Sequence, residues 1–464
     1  MSRGKYQQNR KPSILPVIFF SILILLALFL VGKVIWEEVP EVTTEPPQTQ
    51  KTTQPTRPSE TTEPTTEPTT EPTTEPTTVP TEPFVVSTAS IGVSGDVLIH
   101  SPVYNSAYKG SGVYDFNSIF TYISDYYESY DFMIANLEVT LSGADKEYSG
   151  YPYFNCPDSI VDALQNAGVD MLLNANNHTY DKGHYGLIRT QEVLNEKGMP
   201  HLGTRLSEEE PMYVVQDING IKVGMVCYTY ETGNTSDGRK TLNGIPVNKD
   251  DTNLIGSFHP NHLDDFYYEV YETLEAMYAE GAEATMVFIH WGEEYQLKAN
   301  AKQKEIAQQL CELGVDVIVG GHPHVIQPFD TLTSSDGHTT YCIYSVGNAI
   351  SNQRRSNISQ APDGHTEDSM IFGVTFEKWN DGTVKIQEVD ILPIWVSKEW
   401  DNVKGNEYYI IPLDTDYEDW TGFDISNNNY LYGSYKRTMA IVGEGLNAAR
   451  NGLGLPEKVL DAKE

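Results

Sequence analysis

Val315-Asp316-Val317-Ile318-Val319-Gly320-Gly321-His322-Pro323-His324 is a β-branched apolar run that stops on two glycines and two imidazoles. Its first part reads as a buried strand. Its second part reads as a tight loop, because the glycines free the backbone and the proline ends the ladder. Two imidazoles two residues apart, raised at the carboxyl end of a strand, can face one metal pair. Open α/β sheets build their sites at that end.

The same arrangement recurs upstream. Gly95-Asp96 follows a strand predicted over Ser90 to Ser94, and Glu138 follows one over Phe132 to Asn136. Asn176-Asn177-His178 follows a strand over Asp170 to Asn174, and His290 in Phe-Ile-His-Trp-Gly follows one over Thr285 to Ile289. Asp96, Glu138, the Asn176-Asn177-His178 string, His290, His322 and His324 are therefore the candidate pieces of one metal site. A set of carboxylate, amide and imidazole donors suits a pair of divalent ions such as Mn, Fe or Zn. Asp181, three residues after His178, can hold that imidazole in orientation, as a carboxylate does in acid–base pairs. Each piece has a plainer reading: a Gly-Asp turn, a helix-capping or salt-bridged Glu138, a hydrogen-bonded asparagine loop, a core His290. The ordered set outweighs them, since an unpaired carboxylate directly after a buried strand is costly. Arg354-Arg355 is a candidate contact for an anionic substrate, with a solvated loop as the alternative.

Between these pieces helices alternate with strands. Helices are predicted over Phe116 to Tyr127, Asp158 to Asn166, Tyr185 to Glu196, His262 to Ala279 and Ala301 to Leu313. Hairpins are predicted across Asn219-Gly220 and Asn380-Asp381-Gly382, and a further strand over Tyr341 to Val346. The order is βαβ with antiparallel additions. Residues after Ser397 are expected to form an extension packed on the same domain, with one helix over Lys436 to Arg450.

The amino-terminal part has a different character. Residues 1–12 carry Arg3, Lys5, Arg10 and Lys11 and no acid, and 13–36 are almost all apolar. That length spans a bilayer, with the basic end in the cytoplasm and the rest outside the cell. A cleaved signal peptide is the competing reading, but no small-x-small site follows the apolar run. Residues 37–83 are rich in Thr, Pro and Glu, with Thr-Thr-Glu-Pro four times between Thr61 and Pro76. Such a segment has nothing to bury and reads as a disordered stalk with a reach on the order of 100 Å. The expected organisation is thus a basic tail (1–12), a transmembrane helix (13–36), a stalk (37–83), a main domain (84–396) and an extension (397–464).

The net charge of −34 argues against nucleic acid as a partner. It makes a polyanionic substrate awkward unless the site supplies cations. The four cysteines lack metal-type spacing, and Cys227, Cys311 and Cys342 fall on apolar faces, as buried thiols do.

The order Gly-Asp, Asn-Leu-Glu, Asn-Asn-His, His-Trp-Gly, Gly-His-Pro-His and Ser345-Val346-Gly347-Asn348 resembles the bacterial capsule-synthesis CapA family, also called the poly-γ-glutamate capsule family. That family is similar to the calcineurin-like metallophosphoesterases. The resemblance covers about Ser90 to Val396 and implies a metallophosphatase-like sandwich of mixed β-sheets flanked by helices. It implies metal-binding roles for Asp96, Glu138, Asn177, His290, His322 and His324, and for His178 the place of the histidine that protonates the leaving oxygen, with Asp181 beside it. Two departures stand out: no His follows Asp96 at the Asp-x-His spacing, His100 being four residues on, and Glu138 stands where a phosphoesterase has Asp. The resemblance also implies an anionic envelope polymer, or its synthesis and export machinery, as partner. Three functions follow as expectations: a membrane-anchored capsule-polymer protein with a hydrolase-like site, a general exported metallophosphoesterase or nucleotidase, and a non-catalytic polymer-binding accessory.

Overall fold

The computed structural model describes residues 82–414, 420, 423, 425–426 and 429–458. The basic tail, the expected membrane span and nearly all of the stalk lie outside the described residues. Among the described residues, no helix is long and apolar enough to cross a membrane.

The strands of the two large sheets are numbered in chain order. They are β1 (Val85–Val97), β2 (Phe132–Leu137), β3 (Met171–Leu173), β4 (His201–Leu202), β5 (Tyr213–Ile218), β6 (Ile221–Tyr230) and β7 (Ser257–Phe258). There follow β8 (Ala284–His290), β9 (Val317–Gly321), β10 (Phe329–Thr333), β11 (Thr339–Ile343), β12 (Asp368–Trp379), β13 (Val384–Asp401) and β14 (Gly405–Pro412). One seven-stranded sheet has the order β14-β13-β12-β1-β2-β3-β4, with β1 to β4 parallel and β12 to β14 antiparallel. The other has the order β7-β6-β8-β9-β11-β10, with β5 added along β6.

Side chains alternate across each strand, and this alternation builds the layers. Phe132 and Ile134 of β2 and Met286 and Phe288 of β8 point into the core shared by the sheets. Met133 and Ala135 face outward onto α1 (Ser159–Asn166) and α2 (Gly183–Glu196). Val287 and Ile289 face outward onto α3 (Leu263–Ala279) and α4 (Ala301–Glu312). The result is a helix–sheet–sheet–helix sandwich of mixed sheets. A capping box starts α4: Asn300 accepts from the Gln303 amide while the Gln303 side chain accepts from the Asn300 amide.

Three expectations are corrected. The helix expected over 116–127 is two short turns, Asn117–Phe120 and Ser124–Tyr127. Asp115 takes the Asn117 amide and Thr121 Oγ1 donates to Ser118 O, local bonds that compete with a continuous helix. The second correction concerns the end of the main domain. Residue 396 lies inside the 18-residue strand β13, and β14 extends the same sheet, so 397–412 are part of the sandwich itself. Last, the terminal helix is longer than expected: α5 runs Asn429–Gly452. Its buried Leu431, Tyr435, Met439, Val442, Leu446 and Ala449 recur at three- and four-residue steps and join the core between the sheets. All four cysteines are free and buried.

Candidate metal centre

Every expected ligand sits at or just beyond the carboxyl end of a parallel strand. The first sheet contributes Asp96, Glu138 and Asn177, and the second contributes His290, His322 and His324. Strand register sets the neighbours: Asp96 pairs with Asn136 across β1 and β2, and His290 with Gly321 across β8 and β9. The Asp96 amide donates to Gly347 O at 3.0 Å, which pins the 345–348 loop over β1. A Cβ at Gly95 would lie 2.0 Å from that same carbonyl oxygen, so no larger residue fits there. His322 and His324 have φ of 94° and 56°, left-handed values for non-glycine residues. Such strain, about 1–3 kcal/mol per residue, persists where the surroundings enforce a functional geometry.

The donors fall into two groups, Glu138–His290–His322 and Asp96–Glu138–His324, each with ligand atoms within 4.8 Å of one another. Glu138 belongs to both. It is fully buried, and among the described residues neither of its oxygens has a hydrogen-bond partner; nor does His322 Nδ1. His290 Nε2 approaches Glu138 Oε1 at 3.3 Å but bonds with Asn177 Oδ1 at 2.8 Å. A buried carboxylate with open lone pairs on both oxygens is an expensive group unless cations meet it. With Glu138 counted, two carboxylates, three imidazoles and an amide form a donor set that suits divalent ions.

Further asparagines hold this set. Asn136 Nδ2 donates to Asp96 Oδ1 at 2.8 Å, and Asn136 Oδ1 accepts from Asn176 Nδ2 at 3.1 Å. Asn176 also donates to Leu137 O and accepts from the His178 amide. Asn348 Oδ1 lies 2.9 Å from His324 Nδ1, and Asp96 Oδ2 lies 3.3 Å from the same nitrogen. Burial pushes the Asp96 carboxyl up, but the His324 hydrogen bond, the charges on His290 and His324, and the Asn136 amide outweigh it and leave it below its usual range. Burial disfavours the His324 imidazolium, yet Glu138, Asp96 and Glu294 raise its pKa to about 9. Burial and the neighbouring histidines push His322 well below its ordinary value.

Beside the ligands, His178 Nδ1 lies 2.7 Å from Asp181 Oδ2, both residues being buried. The Phe154 ring meets the His178 ring edge-on at 4.7 Å. His100 is not in either ligand group; its Nδ1 faces Leu98 O and the Asn352 amide at 3.2 and 3.3 Å. Burial lowers its pKa to about 4. Arg354 and Arg355 were expected at an anionic substrate, and the structure shows an internal ion pair instead. Arg355 forks onto both Glu367 oxygens and stacks on Tyr430, and Arg354 lies 3.4 Å from Glu367 over Trp395.

Sequence reading missed the roles of Asn136, Asn176, Asn348 and Asn243. Asn136, Asn176 and Asn348 lie inside quoted motifs, so the signal was an amide next to each ligand, unread because its partner sits on another strand. Asn243 lies in an Asn-Gly turn far from every motif.

Comparison with known proteins adds the following. Residues 90–353 match the family profile described as “Bacterial capsule synthesis protein PGA_cap”. The chain is 24% identical over 280 residues to “PGA biosynthesis protein CapA” of Bacillus subtilis (strain 168), covering 59% of this chain and 65% of that protein. It is 26% identical over 245 residues to “Capsule biosynthesis protein CapA” of Bacillus anthracis, covering 52% of this chain and 55% of that protein. The matches thus span between half and two thirds of the relatives' own lengths. The structure of TT1561 of Thermus thermophilus aligns at a TM-score of 0.31 and 8% identity, over 61% of this chain and 93% of that one, a likeness that bears no weight.

Proposed function

The chain belongs to the PGA_cap family of bacterial capsule synthesis proteins, and from that premise we propose a metal-dependent, hydrolase-like role in making, exporting or processing an anionic capsule polymer of the poly-γ-glutamate kind. In this reading the apolar segment 13–36 anchors the chain, and the described residues work outside the cell. The observation that carries the reading is Glu138, a buried carboxylate with both oxygens open, shared by two ligand groups.

Asp96, Glu138 and His324 would hold one ion and Glu138, His290 and His322 the other, with the Asn177 amide at the edge of the second group. Divalent ions there supply Lewis-acid polarisation of the scissile bond and an activated water. Two divalent ions held there would carry more charge than Asp96 and Glu138 together and would make the cleft locally cationic. A cleft of that sign would let a chain of net charge −34 accept a polyanion. With both guanidiniums engaged at Glu367, attraction of the polymer falls to the ions rather than to Arg354 and Arg355. His178 keeps its Nδ1 proton on Asp181 and so offers Nε2 as the atom that hands a proton to the leaving group.

The test separates ligand from acid. The full chain should hold transition-metal ions after reconstitution with Mn, Fe or Zn, and His322→Ala should lose metal. His178→Ala should keep its metal and lose turnover by about 10²–10⁴, the usual contribution of a general acid. A chain that takes up no metal rejects the centre, and equal metal loss in the two variants makes His178 a ligand. Topology is checked apart from chemistry. Protease added to wall-stripped cells should release the domain by cutting within 37–83, and full protection would place it inside the cell.

A further inference from the structure

Asn243-Gly244 joins two short strands, Lys240–Leu242 and Ile245–Pro246, in a two-residue hairpin outside the large sheets. Both turn residues have positive φ, 48° and 73°. This is the geometry that favours Asn-Gly in such turns, and turn chemistry alone would account for an asparagine here. Its side chain, however, does not face away from the protein. Asn243 Nδ2 lies 2.9 Å from Asp181 Oδ1, 3.0 Å from Pro152 O and 3.3 Å from His178 Nδ1.

The hydrogen count settles the arrangement. An amide nitrogen has two hydrogens and accepts none, so Asn243 serves Asp181 Oδ1 and Pro152 O together. Asp181 Oδ2, a carboxylate oxygen, only accepts, so the proton in its 2.7 Å contact with His178 Nδ1 is carried by the imidazole, and the Asn243 amide is a neighbour of that nitrogen rather than its partner. The Phe154 amide adds a third donor to Asp181, at 2.6 Å on Oδ2. Asp181 is thus gripped from three directions, and only the Asn243 grip comes from outside the polypeptide that runs from Asn136 through α2. The hairpin has a firm root: Leu242 and Val247 are fully buried in one cluster with Tyr180, the residue before Asp181, and Leu187 of α2. Tyr180 OH is tied in turn to Asp251 and to the Asn248 amide.

We infer that Asn243 is a positioning residue of the His178–Asp181 pair: it fixes the Asp181 carboxylate, and through it the tautomer and orientation of the His178 ring, while tethering the 151–154 loop beside them. This inference rests on the hydrolytic reading of the site, and it deepens that reading by adding a group delivered from a separate hairpin.

Two variants of the full chain divide turn from side chain. Asn243→Gly keeps the left-handed turn, since glycine adopts positive φ freely, and deletes the amide. Asn243→Asp keeps the turn but sets a carboxylate against Asp181. Proton NMR should show one downfield imidazole N–H in the wild type that disappears in His178→Ala. In both Asn243 variants that resonance should move upfield or exchange away, with metal content and melting temperature as in wild type. Turnover of bis-p-nitrophenyl phosphate or poly-γ-glutamate should fall about tenfold in kcat, a fraction of a full general-acid contribution, with KM unchanged, and further in the Asp variant. If the wild type turns over neither probe, the hydrolytic reading fails, and the resonance alone decides the positioning. A resonance unmoved in Asn243→Gly overturns the inference, because the turn would then be the whole role of the residue.

Discussion

Glu138→Gln should empty both halves of the metal centre, whereas His322→Ala and Asp96→Asn should each leave one ion behind. Glu138 is the one side chain common to both ligand groups, and His322 and Asp96 belong to one each. The substitution keeps the size of the side chain and removes the charge that two cations would share. An ion bound a thousandfold above its Kd stabilises the folded state by about 4 kcal/mol. The wild type should therefore melt markedly higher with Mn, Fe or Zn present, and the Glu138→Gln chain should show no such rise. Elemental analysis of the three variants gives the stoichiometry directly. If Glu138→Gln and His322→Ala retain the same number of ions, Glu138 does not bridge.

The second large effect lies far from the site. A Cβ at Gly445 of α5 would sit 1.8 Å from Phe329 O and 2.8 Å from its carbonyl carbon. Both contacts are to backbone, so neither side chain nor rotamer can give way. Gly445→Ala gains about 1 kcal/mol in helix propensity. The overlap should cost more, because overpacking costs about 1–3 kcal/mol even where side chains can shift, and here the helix must lift off β10. Gly452→Ala is the control: nothing lies within 4 Å of its added Cβ, so it should be neutral or slightly stabilising. Urea midpoints measure the difference. A Gly445→Ala chain as stable as wild type would mean that α5 does not dock on Phe329.

The strands that carry the site were the most legible elements. β2, β8 and β9 are unbroken apolar runs, and burial on both faces leaves that mark whatever surrounds them. Their terminal polar residues stood out for the same reason, since Asp96, Glu138, His290 and His322 interrupt a pattern that otherwise has few polar atoms. β10 and β14 were not legible. Phe329-Asp330-Thr331-Leu332-Thr333 is short and half polar because it is an edge strand, and Gly405–Pro412 opens with three non-apolar residues at the edge of the other sheet. Each is made a strand by hairpin pairing with its neighbour, β10 with β11 and β14 with β13, and neither short, half-polar segment carries a period of its own. The asparagine contacts failed to show for a related cause: Asn136 meets Asp96 only because β1 and β2 are in one register, and Asn243 meets Asp181 only because a separate hairpin folds over. Arg354 and Arg355 were read as open cations because Glu367, twelve residues beyond Arg355, carried no sign of turning back to them.

The terminal helix also sets an order of events. Strand β1 is the first and α5 the last element among the described residues, yet Ile91 and Val93 share one core with Val442 and Leu446. A chain made from its amino end therefore holds a pair of sheets with an uncovered apolar strip until the residues near 450 arrive. For that interval the strip can adhere to whatever apolar surface is near, another nascent copy included. A stop codon before residue 429 would make the interval permanent, leaving every candidate ligand in the chain of a protein that should clump.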